Sequence, residues 1–106
     1  MDEIFIFDQL CYVNRHLSTN TPVRFLQLVE RTLVSVENKV HELHERNEIQ
    51  MIPEITELLG NICSMLYDTT QNEDAFFNAL EISVRIRKYY LFPHLEVPHV
   101  YLYIYT

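Results

Sequence analysis

Glycine is almost missing from this chain, with Gly60 alone among 106 residues. Tight turns that need a positive φ are therefore scarce. That excludes a barrel or sandwich built from short hairpins, and it excludes a glycine-rich loop that cradles phosphate. Cysteine is also sparse. Cys11 and Cys63 lack any metal-site or redox spacing, and each falls on an apolar position of an expected helix. They read as buried free thiols rather than as a disulfide. Cations are in deficit, with 8 Lys and Arg against 15 Asp and Glu and a formal net charge of −7. Such a balance opposes non-specific nucleic-acid binding, which depends on cations neutralising phosphates, and leaves basic protein surfaces as partners. Long apolar runs are absent too: no stretch approaches the ~20 residues of a membrane span. The start, Met1-Asp2-Glu3, lacks the basic region of a signal peptide. The expected setting is the cytoplasm or nucleus, away from membranes.

What the chain does contain is helical periodicity. Leu26, Val29, Leu33, Val36, Val40 and Leu43 step by three, four, three, four and three residues. That places six apolar side chains on one stripe of a helix about five turns long. Such a stripe must be buried against other helices. Thr21-Pro22 supplies the start, with Thr as N-cap and Pro at the first helical position. The helix is expected from Pro22 to Arg46, with Glu30, Glu37, His41 and Glu45 on its solvated face. Before it, residues 3–17 carry Ile4, Phe7, Leu10, Cys11 and Leu17 in a helical pattern, although the run Ile4-Phe5-Ile6-Phe7 also suits a strand. Arg46-Asn47-Glu48 holds a bend. A further helix begins near Pro53 and carries Ile55, Leu58, Leu59, Ile62, Met65 and Leu66. Gly60 within it marks a close helix crossing. Asn72, followed by Glu73 and Asp74, caps the next segment.

That last segment reads two ways. Phe77, Leu80, Val84 and Leu91 fit one helical stripe, and Phe76, Ala79, Ser83, Ile86 and Tyr90 fit a neighbouring one. Leu80, Ile82, Val84 and Ile86 also alternate with polar residues, as in a half-buried strand. Length favours the helix, as do the acidic start and the basic end at Arg85, Arg87 and Lys88. Pro93 ends it. The tail from His99 to Thr106 is uncharged, β-prone and rich in tyrosine. Tyr101, Tyr103 and Tyr105 could pair with another copy of the chain or lie on their own bundle. The expected architecture is all-α: a small antiparallel helical bundle in one domain, residues 1–106. Its core spans 22–92 in three main helices, a short N-terminal helix precedes them, and a β-prone tail covers 93–106.

Chemistry is weakly encoded. His41 and His44 share a helix face beside Glu45, but no His-Glu-x-x-His signature or cysteine cluster supports a metal site. Neither cysteine nor any serine stands in a nucleophile context, and no catalytic residue, metal or cofactor is assigned. Charge placement is more informative. Glu54, Glu57 and Asp68 decorate one helix while Arg85, Arg87 and Lys88 decorate the next. In an antiparallel pair Glu54 or Glu57 would meet Arg85 or Arg87, or both groups would face a partner.

The stretch Glu57-Leu58-Leu59 through Met65-Leu66-Tyr67-Asp68, followed by Val84-Arg85-Ile86-Arg87-Lys88, resembles a short BAG domain over residues 22–95. Members of that family are three-helix bundles that bind the ATPase domain of Hsp70-type chaperones and promote ADP release. The resemblance implies a co-chaperone without cofactor, acting as a nucleotide exchange factor. Glu57, Asp68, Arg87 and Lys88 stand where the family grips its partner, and Arg85 lies beside them. The interval from Glu57 to Asp68 is one residue longer than the family pattern, and Leu95 stands where its glutamine would be. The other expectation is a self-associating structural or adaptor protein that forms a homodimer through the tail.

Overall fold

The computed structural model describes residues 2–18, 22–71 and 73–93. The expected caps Thr21 and Asn72 lie outside those residues, as does the tail with Tyr101, Tyr103 and Tyr105. Four helices form: α1 (Asp2–Leu17), α2 (Leu26–Glu45), α3 (Pro53–Thr70) and α4 (Phe77–Leu91). Short 3-10 turns at Pro22–Phe25 and Asp74–Phe76 lead into α2 and α4. The chain is an all-α bundle, and the described residues contain no strand.

The helices pack as a ring in the order α1, α2, α4, α3. Contacts between named residues give the directions. Glu37 and His41 on α2 meet Arg85 and Tyr89 on α4 in the same order along both helices, so these two neighbours run parallel. On α3 and α4, Gly60 faces Arg87 while Cys63 faces Ser83, so that pair is antiparallel. In this ring order, a chain that reverses at each connection sets α4 parallel to its neighbour α2. The cause is that the α2–α3 connection spans the diagonal of the ring instead of joining neighbours. The expected picture of three mutually covering helices changes accordingly: α2 and α3 share no broad contact, and α1 fills the gap between them. Ile6, Leu10, Val13 and Leu17 of α1 are buried with the rest of the core.

The α2 stripe is buried as its spacing predicts, through Val29, Leu33, Val36, Val40 and Leu43. The bend after it is a Schellman-type stop. Glu48 N–H donates to Leu43 O at 2.8 Å and Asn47 N–H to His44 O at 3.0 Å, with Asn47 at φ 57°. Asparagine takes the left-handed position that glycine usually fills. In α4 the helix wins over the strand, and the buried stripe is Phe76, Ala79, Ser83, Ile86 and Tyr90, joined by Ile82 and Tyr89. Phe77, Val84 and Leu91 turn outward instead. Small Ala79 and Ser83 suit a tight helix contact, and Ser83 accepts a hydrogen bond from the Cys63 thiol at 3.5 Å.

Candidate functional site

The charged residues picked out from the sequence divide among three environments. Arg85 points inward. Its Nε and Nη2 donate to the two carboxylate oxygens of Glu37 at 2.7 and 3.2 Å. Glu37 is fully buried. The expectation that Glu37 lies on a solvated face is thus corrected, as is that of Arg85 meeting Glu54 or Glu57. The reason is the ring: α2 sits between α1 and α4, so its buried arc is wider than one stripe.

The same contact continues one turn on. His41 Nδ1 lies 2.9 Å from the Tyr89 hydroxyl, and its Nε2 is 3.3 Å from Glu45 Oε1. A carboxylate at Nε2 favours the proton there, which leaves Nδ1 to accept from Tyr89. His44 meets the Tyr89 ring edge-on, with centroids 5.0 Å apart. Burial, reinforced by the negative charge of Glu37, pushes the Tyr89 hydroxyl up to about 12. Tyr89 is therefore a neutral donor at ordinary pH. Burial likewise pushes Tyr90 and the Cys63 thiol upward, so Cys63 stays protonated and unreactive. His41 and His44 are thus occupied with Tyr89. Among the described residues no group of three or more His, Cys, Asp or Glu gathers as metal ligands.

Arg87 has the second environment. It lines an open groove between α3 and α4 of about 440 Å³ with Met51, Pro53, Thr56, Glu57 and Gly60. Its Nε is buried and has no hydrogen-bond partner. Glu57 shares the groove without forming an ion pair with it. A Cβ added to Gly60 would meet only the Arg87 guanidinium, at 3.7 Å. Gly60 thus marks no close backbone crossing; it leaves room beside Arg87.

The remaining two residues lie apart from this groove. Lys88 is exposed on the outer face of α4, where it lines an open hollow with Leu80, Glu81, Val84 and Arg85. Asp68 is also exposed. Eleven residues separate it from Glu57, about three turns and ~16 Å along α3, so the two acids share a side of that helix at its opposite ends. Of the expected set, the structure brings Glu57 and Arg87 together, holds Lys88 one residue around α4, and turns the partly buried Arg85 side chain onto Glu37.

A second surface had no counterpart in the sequence reading. Ile4 and Phe7, expected within the α1 stripe, are 55% and 38% exposed, while Ile6 takes the buried place. Four consecutive apolar residues on a helix span every face, so some had to be left outside. That run was the available signal. No helix among the described residues is long and apolar enough to cross a membrane. Compared with known proteins, the chain matches no family model, no curated protein and no solved structure.

Proposed function

We propose that this bundle is a non-enzymatic protein-interaction module of the cytoplasm or nucleus, with the α3–α4 face as its contact surface. The observation that carries this is Arg87. A buried guanidinium nitrogen without an acceptor is costly to leave unpaired, and here it borders an open groove with apolar Met51 and Pro53. A partner carboxylate placed there would accept charge-assisted bonds from Arg87. The antiparallel α3–α4 pair, with Glu57 and Asp68 on one helix and Arg87 and Lys88 on the other, supports the sharper form of the proposal. In that form the module is a BAG-like co-chaperone that binds the ATPase domain of an Hsp70-type chaperone and favours its open cleft. By binding the open state better than the closed one, it would lower nucleotide affinity. The four-helix ring differs from the three-helix bundle of that family, so the support comes from the α3–α4 face alone.

Release of a fluorescent ADP analogue from an Hsp70-type ATPase domain is the test. The full chain is expected to speed release, and Arg87→Ala to reduce the effect by about tenfold or more, the usual loss for a charged hydrogen bond in an interface. No acceleration at tens of micromolar chain would remove the chaperone reading.

A further inference from the structure

The outward side of the α1–α3 pair is a groove. Near the start of both helices, Ile4, Phe7, Ile52 and Ile55 line a hollow of about 290 Å³ edged by Glu3 and Glu54. A second hollow, of about 240 Å³, continues from it: Phe7 and Glu54 line both, and Cys11, Leu58 and Glu57 extend the lining. The walls are mainly apolar, the charged groups are all carboxylates, and no lysine or arginine lines either hollow among the described residues.

From this arrangement we infer that the α1–α3 groove takes an amphipathic helix of another protein, with apolar anchors and flanking lysines or arginines. Charge complementarity selects that occupant. Three carboxylates along an apolar trough attract cations and repel acids. Spacing agrees with a helix. From Ile52 to Leu58 is six residues, about 9 Å along α3, close to the ~10.5 Å between positions i and i+7 of a partner helix. A second copy of this chain is disfavoured, since two such grooves face to face would oppose Glu3, Glu54 and Glu57 to like charges. Residues 94–106 contain no lysine or arginine, so they lack the cations this groove selects. The inference does not rest on the chaperone reading: Glu57 edges both grooves, but Glu54 lines only the α1–α3 side and Arg87 only the α3–α4 side, so their variants separate the two.

The test is a titration of the isotope-labelled full chain with a synthetic Leu/Lys amphipathic helix of about four turns, followed by NMR, with a Leu/Glu helix of the same pattern as control. Saturable shifts are expected at Ile4, Phe7, Ile55 and Leu58, fading at high salt, with no binding of the Leu/Glu helix. Glu54→Lys, at an exposed position, is expected to weaken binding about threefold or more, the scale of one or two rim ion pairs. Circular dichroism of that variant confirms that the bundle is intact. Equal binding of the two helices, shifts centred elsewhere, or an unaffected Glu54→Lys would overturn the proposal. So would a dimer in sedimentation that Ile4→Asp dissociates, because it would seat a second copy in the groove.

Discussion

Glu37 exchanges hydration for two bonds to a single guanidinium, its own side chain fully buried in the α2–α4 contact. Such a pair contributes little net stability over a hydrophobic one, since desolvation offsets most of the attraction. Breaking it is another matter. Arg85→Ala leaves a buried carboxylate alone, and a loss of about 3–5 kcal/mol is expected, read from urea unfolding. Replacing both residues by leucine is expected to recover most of that. If Arg85→Ala unfolds at the wild-type midpoint, the Glu37 carboxylate reaches water and is not held in a dry interior. The tyrosines give a pH signature. Tyr89 ionises at about 12 in the folded chain against an ordinary 10.0, and Tyr90 is shifted the same way. In that interval the unfolded chain releases phenolic protons that the folded chain retains. Stability is therefore undiminished below pH ~10 and falls above it, by up to ~1.4 kcal/mol per pH unit for each tyrosine. Denaturation curves from pH 9 to about 12 check this. Tyr89→Phe should flatten the slope, Tyr90 supplying what remains.

Helix boundaries depend on local chemistry, and one of them rests on a single residue. Asn47 closes α2 with φ 57° and a pair of reversed backbone hydrogen bonds. Substitution by glycine relieves the Cβ strain of that conformation, and Asn47→Ala loses asparagine's tolerance for it. Asn47→Ala is expected to cost ~1 kcal/mol, a drop in melting temperature of roughly 4–8 °C, while Asn47→Gly holds or gains stability. A neutral Asn47→Ala would mean the turn can reach another conformation cheaply. Calorimetry on the two variants separates these cases. At the C-terminal end of α1, the His16 ring centroid sits 4.4 Å from that of Tyr12 and 4.5 Å from that of Phe25. This ties α1 to the turn that precedes α2. α2 and α3 were legible as helices from the sequence, because periods of three and four over many residues admit few alternatives, whereas α4 also carried the alternation of a strand. Which stripe of α4 is buried was not legible, since its two apolar stripes are neighbours and the positions of α2 and α3 together choose between them.

At the scale of the molecule, α1 is the piece that closes the ring. Its Ile6, Leu10, Val13 and Leu17 are buried together with side chains of the other three helices. A chain beginning at residue 18 exposes the inner faces of α2 and α3, and it is expected to lose its cooperative thermal transition. Circular dichroism melting of that fragment is the check; an intact, sharp transition would make the other three helices self-sufficient. The sequence alone determined that the chain is helical, where its long helices run, and that it lacks the motifs of common catalysts, because periodicity and glycine scarcity are local properties. Only the tertiary structure decided that Glu37 is an interior residue joined to Arg85, that Arg87 faces an open groove, and that Ile4 and Phe7 stand outside. The physical reason is that burial belongs to the arrangement of neighbours. A helix flanked on two sides covers more of its circumference than one apolar stripe, and which charges fall inside that arc is set by the packing order.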